Sequence, residues 1–244
     1  MLKIKNYTKK YGDKTVVDDL SLTIEPGEIY GFIGNNGAGK TTTIKACVGI
    51  LKPDGGEILI NGKNIAKDPI ACKKEMAYIP DNPELYEYMS GNQYLNFVAD
   101  IYGVDRATRQ EQIQKYGELF GIDDALNRAI GTYSHGMKQK VALMAGFIHE
   151  PKLIIMDEPF VGLDPQAAFY VKEIMREFCK KGSSIFFSTH VLEVAEKLCD
   201  HIAIIKKGKL LKSGTMEEVS GDESLESVFL ELEAEKDALS VKVD

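Results

Sequence analysis

No run of apolar residues in this sequence comes near the length needed to cross a bilayer, about 18 residues, so any role at a membrane has to pass through a partner. Metal and disulfide spacings are missing too. The four cysteines, Cys47, Cys72, Cys179 and Cys199, lie far apart without a CxxC pair, which argues against a metal site or disulfide framework and predicts buried free thiols. Positive charge is in deficit: 30 Lys and Arg face 37 Asp and Glu, for a net charge of −7. That balance argues against nucleic-acid binding, which depends on many Lys and Arg contacts to phosphate. Neither an internal repeat nor a low-complexity segment is present. The first residues, Met1-Leu2-Lys3-Ile4-Lys5, alternate like a strand and lack the apolar stretch of a secretion signal, so an intracellular chain is expected.

What is there is ordinary globular material, 44% hydrophobic and 27% charged over 244 residues, enough for one large α/β unit or a core with an insertion. Strand and turn signals fill the first 80 or so residues: 20–24, then Pro26-Gly27, then 29–33 running into a glycine-rich loop, then 57–60 leading to the hairpin dipeptide Asn61-Gly62. Over 90–148 the apolar spacing turns helical, through 94–101 and again through 113–120. A helical insertion therefore interrupts the α/β pattern. Strand character returns at Leu153-Ile154-Ile155-Met156 and 184–188, with a helix over 167–178 between them and a closing hairpin through Lys207-Gly208. Between Glu217 and Asp237 stand nine acids and one lysine, while Leu225, Val228, Phe229 and Leu232 keep helical spacing, which predicts a terminal amphipathic helix with an acidic face.

Gly34-Asn35-Asn36-Gly37-Ala38-Gly39-Lys40-Thr41 fits the phosphate-binding pattern G-x-x-x-x-G-K-[ST], placed between a predicted strand and a predicted helix. Glycines there let backbone N–H groups converge on phosphate, the helix contributes its positive end, Lys40 a charge and Thr41 a hydroxyl for Mg2+. A dinucleotide fingerprint would space its glycines differently and would not continue Lys-Thr. The run 153–156 ends in Asp157-Glu158-Pro159. Acids at the C-terminal end of a core strand are costly unless they coordinate or pair. Asp157 is expected to hold Mg2+, directly or through water, and Glu158 to orient and deprotonate an attacking water.

Just upstream, Tyr133-Ser134-His135-Gly136-Met137-Lys138-Gln139-Lys140 resembles the signature loop of ATP-binding cassette (ABC) ATPases. The likeness continues in order through residues 34–42, Asp157-Glu158, Gly162-Leu163-Asp164-Pro165 and Ser188-Thr189-His190, and covers the chain to about residue 215. It implies an α/β fold, with a P-loop NTPase core, an N-terminal antiparallel β-subdomain and an inserted helical subdomain. The core would occupy 1–85 and 151–215 and the insertion about 86–150, with a C-terminal amphipathic helix and acidic tail over 216–244. It also implies ATP and Mg2+ as cofactors, and a head-to-tail homo- or heterodimer in which each ATP lies between one P-loop, Gly34 to Thr41 with Thr42, and the partner's signature loop.

In that reading Ser134 and Gly136 contact the γ-phosphate across the dimer, His190 contacts it within the subunit and holds Glu158, and Asp164 communicates between subunits. Tyr11 matches the aromatic that stacks on adenine, and Val16 neighbours the ribose. Two positions depart from the family pattern. Asp81 stands where the family has a glutamine, and is read as a metal contact through water. His135 replaces the signature's first glycine and Met137 its final glutamine, which bears on how closely backbone approaches phosphate. The aromatics Tyr78, Tyr86, Tyr88, Tyr94, Phe97 and Tyr102 are read as packing of the inserted subdomain. In the resembled family this surface receives a short helix from a separate transmembrane permease, so any exposed members would be anchors there.

The motif spellings are most similar to single-cassette subunits of bacterial exporters, which implies a cytoplasmic protein, peripheral on the inner face of the cell membrane. A soluble single-cassette ATPase driving assembly of a cytosolic complex is the alternative.

Overall fold

The computed structural model describes residues 1–240. Residues 241–244 of the expected acidic tail lie outside the described residues, as do the side chains of Glu233, Glu235 and Asp237 on its acidic face. Strands β1 (Leu2–Tyr11) and β2 (Lys14–Ile24) open the chain as a hairpin, and β3 (Ile29–Ile33) runs through the glycine-rich loop into α1 (Lys40–Cys47). A second hairpin, β4 (Gly55–Ile60) and β5 (Lys63–Asn64), and the short α2 (Pro69–Lys73) precede β6 (Met76–Ile79). Three helices then follow with no named strand between them: α3 (Gly91–Tyr102), α4 (Arg106–Phe120) and α5 (His135–Phe147). Strand and helix alternate again in β7 (Leu153–Asp157), α6 (Pro165–Lys180), β8 (Ser184–Thr189), α7 (Leu192–Leu198) and β9 (His201–Lys206), before β10 (Lys209–Thr215), α8 (Met216–Ser220) and α9 (Leu225–Ser240).

The strands sort into two sheets. One is antiparallel, in the order β2-β1-β4-β5. The other has the order β10-β9-β3-β8-β7-β6 and is parallel except for β10, which folds back on β9. Both hairpins read from sequence form for the same reason. Asn61 with Gly62 and Lys207 with Gly208 all take positive φ, the conformation a two-residue turn requires to match strand twist.

Strands β3, β7 and β8 are buried along their whole length, as central parallel strands covered on both faces must be. Their side chains alternate between two cores. Ile29, Ile33, Ile154, Met156, Ile185 and Phe187 face the helical side, packed with residues of α3 to α7 and α9. Tyr30, Phe32, Leu153, Ile155 and Phe186 face the antiparallel sheet and α1.

Local signals bound the inserted helices. Ser90 and Gln93 form a reciprocal capping box at the start of α3, Asp105 caps α4, and both helices end at a left-handed glycine, Gly103 and Gly121. The terminal helix α9 buries Leu225, Val228 and Phe229, and its first N–H donates to Glu196 Oε1 at 3.0 Å. All four cysteines are free; Cys47, Cys72 and Cys199 are buried and Cys179 is half-buried. Among the described residues no helix is long and apolar enough to cross a membrane.

Candidate active site

Strand β3 ends at the loop that the sequence marks for phosphate. Gly34 is required by crowding, since a Cβ there would run into the Ile205 carbonyl and lie 3.1 Å from the Ala38 Cβ. Gly39 is required by conformation, with φ +109 at the N-cap of α1. Lys40 follows, only 6% exposed, and its ammonium donates to Gly34 O at 2.5 Å and Asn35 O at 3.3 Å. Around it a cavity of about 210 Å³ is lined by Val16, Asn35, Asn36, Gly37, Gly39, Lys40, Thr41, Thr42, Asp81 and Glu158. Ten of the residues singled out in the sequence therefore share one cleft, with the buried Ala38 beneath the loop.

Of the two acids at the end of β7, Glu158 lines the cleft and Asp157 lies outside its lining. Asp157 ends β7, is 2% exposed, and accepts a hydrogen bond from Ser188 Oγ at 2.5 Å. The same Ser188 oxygen accepts from the Glu158 N–H at 3.1 Å. Glu158 has φ +47, a left-handed conformation that costs a non-glycine residue of order 1–3 kcal/mol. Its carboxylate lies between two nitrogen groups, with Oε1 at 3.4 Å from Lys40 Nζ and Oε2 at 3.0 Å from His190 Nδ1.

Asp81, in the loop after β6, has its pKa pushed up by burial and by the carboxylates of Asp157 and Glu158, with His135 and His190 opposing. Asp81 and Glu158 line the cleft with Lys40, and the charge of Asp157 also reaches Asp81, an arrangement suited to added positive charge. Among the described residues no group of three or more His, Cys, Asp or Glu side chains is arranged to hold a metal ion alone. Mg2+ usually takes one or two carboxylates together with phosphate oxygens and water, and the oxygen donors of Thr41 and Asp157 fit that pattern, with Asp81 beside them.

The signature residues lie outside the lining of this cleft. Ser134 is the N-cap of α5 and accepts from the Met137 N–H at 3.3 Å. Gly136 packs so closely on the Gly162 carbonyl that a Cβ would approach it to 2.5 Å, and the His135 ring covers Gly162 itself. Asp164 caps α6 through Ala167 N at 2.8 Å and pairs with Lys140 at 2.6 Å, and these two partners hold its carboxyl below the usual range. Tyr11 closes β1 with its ring 51% exposed, and Lys9 Nζ lies 5.5 Å above that ring.

The profile of the ABC transporter family matches residues 17–161, more than half of the chain and the whole stretch from Val17 through the P-loop to Glu158. The chain belongs to the ABC transporter family. It is an ATP-binding, ATP-hydrolysing subunit of that family. This ABC ATPase is 38% identical over 240 residues to the ABC-type transporter ATP-binding protein EcsA of Bacillus subtilis, covering 96% of this chain and 97% of the relative. A solved ATP-binding subunit of an ABC transporter superposes with a TM-score of 0.91 at 36% identity, covering 95% of this chain and 99% of that one. A second solved structure, cbiO1 of Clostridium perfringens, described as part of the ABC transporter complex cbiONQ, gives 0.76 at 26% identity, covering 98% of each chain.

The aromatics of this ABC ATPase divide otherwise than the sequence suggests. Tyr94 and Tyr102 are half-buried as packing residues, but Tyr86, Tyr88 and Phe97 are exposed, Tyr88 by 79%. Tyr86 and Phe97 rim a groove of about 350 Å³ whose lining also includes Tyr94, Ile101, Tyr102 and His149, and Tyr88 stacks on Tyr86. The packing reading is thus corrected for three rings: Tyr86 and Tyr88 stand in the loop before α3, where no periodicity applies, and on α3 the spacing around Phe97 fixes which side is apolar but not what covers it. At the groove floor His149 stacks on Tyr102 with centroids 3.6 Å apart, and burial lowers its pKa to about 4.

Two polar residues of this ABC ATPase carry roles that sequence reasoning did not assign. Ser188 holds both acids, as described. Gln139, fully buried in α5, donates to the Pro159 carbonyl at 3.4 Å. For Ser188 the available signal was a hydroxyl closing the apolar run Ile185-Phe186-Phe187, where a polar group rarely persists without a partner; Gln139, between Lys138 and Lys140, carried no such signal.

Proposed function

We propose that this chain energises a membrane exporter as one half of an ATP sandwich dimer. The observation that carries the reading is that Lys40, Thr41, Asp81 and Glu158 share a cleft whose lining does not include Ser134 or Gly136 of the same chain. A helix N-terminus presents N–H groups without intrahelical acceptors, suited to phosphate. A second copy, or a related chain, would bring its Ser134 and Gly136 to the γ-phosphate of ATP held in this cleft, and Asp164 would sit at the contact between copies. Tyr11 would stack on adenine, Val16 would border the ribose, and the 34–42 loop with Lys40 would grip the phosphates. Thr41 and Asp157 would hold Mg2+, with Asp81 reaching it through water; when bound, the ion neutralises phosphate charge. Glu158 would take the proton of the attacking water, with His190 fixing its carboxylate.

The aromatic groove supports docking of a separate transmembrane permease, which would place the protein peripherally on the cytoplasmic face of the membrane. Export as the direction rests on the spelling of 34–42, 134–140 and 224–232, which resembles single-cassette bacterial exporters.

The test is the mass of Glu158→Gln protein in solution by light scattering. Mg-ATP is expected to raise it from 27.1 kDa to twice that value, and Ser134→Arg in the same background to prevent the rise. A monomer that binds ATP at saturation in the presence of the permease as well as without it would overturn the sandwich.

A further inference from the structure

The parallel register of β7 and β8 sets Asp157 directly beside Ser188. Ser188 is fully buried, and its single oxygen meets two groups of opposite hydrogen-bonding character. A backbone N–H can only donate, so toward Glu158 the serine oxygen must accept. Its own proton is thereby directed at Asp157 Oδ1, which accepts it. The hydroxyl has no rotational freedom left that keeps both bonds.

Two consequences follow for the neighbouring acids. One oxygen of Asp157 is committed to Ser188, which fixes the plane of the carboxylate and the direction of its other oxygen. The Glu158 backbone, left-handed at φ +47, has its N–H satisfied only by turning toward β8, so the serine bond favours the conformation that sends the side chain toward Lys40 and His190. His190 lies two residues beyond Ser188, and the two reach the same glutamate, one at its backbone and the other at its carboxylate.

We infer that Ser188 is a positioning residue for hydrolysis, setting the orientation of Asp157 and the backbone of Glu158 without touching nucleotide. The inference rests on Glu158 being the base. Its test compares Ser188→Ala and Ser188→Thr with the parent chain in two readouts: amide hydrogen exchange of the nucleotide-free protein by NMR, and steady-state ATP hydrolysis.

In Ser188→Ala the Glu158 amide is expected to exchange at least about tenfold faster while the amides of Ile155 and Phe186 keep their protection. Turnover should fall by about 10- to 100-fold, the worth of a hydrogen bond to a charged group, with KM for ATP held within about twofold. Ser188→Thr, which retains the hydroxyl, should restore both. Unchanged exchange at Glu158, or turnover within about twofold of the parent, overturns the inference. Loss of protection spread evenly over β7 and β8 also overturns it, by reducing Ser188 to a packing residue. Glu158→Gln is run alongside: wild-type turnover there removes Glu158 as the base, while the exchange result still reports on the serine.

Discussion

Replacing Tyr11 by Ala isolates the contribution of the base from that of the phosphates. The ring stands at the end of β1, half exposed, with the Lys9 ammonium against one face. Lys9 is itself held, donating to Lys52 O at 2.9 Å and pairing with Asp54 at 2.9 Å, so the ring rests on a fixed support. Stacking of a base on an aromatic side chain is worth about 1–3 kcal/mol by alanine replacement, which converts to a rise in the Kd for ATP of about 5- to 150-fold. Lys9→Met forfeits a cation–π contact of about 0.5–1 kcal/mol that is already made without nucleotide, so that loss is expected in the stability of the chain and not directly in the Kd for ATP. Calorimetric titration with ATP and, separately, with inorganic tripolyphosphate separates the effects, because tripolyphosphate keeps the contacts to the 34–42 loop and has no base to stack. Tyr11→Phe should bind ATP like the parent. The reasoning fails if Tyr11→Ala leaves ATP binding intact, or if tripolyphosphate weakens as much as ATP.

Gly39→Ala places a side chain at φ +109 with its Cβ 3.1 Å from the Val16 carbonyl. A loss of at least about 1–2 kcal/mol is expected, seen as a fall in Tm of about 2–8 °C by calorimetry. Asp164→Ala should cost about 1 kcal/mol at neutral pH through the lost cap on α6, whereas Asp164→Asn should keep most of it. Because Lys140 and Ala167 N hold the Asp164 pKa down, its stabilisation is present above the ordinary aspartate range and is lost as pH falls through the folded-state value. The gap between parent and Asp164→Ala in urea melts should therefore narrow in acid. His149 gives a window at higher pH. Its folded pKa of about 4 lies below the unfolded value near about 6.5, so stability present above the latter is lost progressively down to the former. The loss amounts to at most about 3 kcal/mol, and His149→Gln should flatten that slope; an unchanged slope would locate the acid sensitivity elsewhere.

Much of this was legible because its causes are local. The 34–41 loop needs glycine where backbone crowds or turns left-handed, and those demands are written in adjacent residues. The same holds for Asn61-Gly62 and Lys207-Gly208, where positive φ selects the turn. Asp164 with Pro165 is also a helix start, yet the sequence placed that helix at 167 because apolar spacing begins there, three residues beyond the cap. What stayed hidden depends on register between strands far apart in the chain. Nothing near Ser188 announces that Asp157 will be its neighbour, and nothing near Gln139 announces the Pro159 carbonyl. Exposure of Tyr86, Tyr88 and Phe97 was hidden for a related reason, since an aromatic run reads alike whether it is covered or lines a groove.

The alternation of β3 has a consequence for how the molecule comes apart. Its side chains are shared between two cores, so the strand belongs to two cooperative units at once, and the loop at its end has no hinge that opens while either unit stays closed. Helices α3 and α4 and the hairpin of β1 and β2 can fray on their own side of the sheet, whereas releasing 34–41 requires both sides to give way. A loop anchored in both cores is expected to loosen only with the whole fold, so the amides of 34–41 should exchange more slowly than those of α3, α4 and the hairpin of β1 and β2.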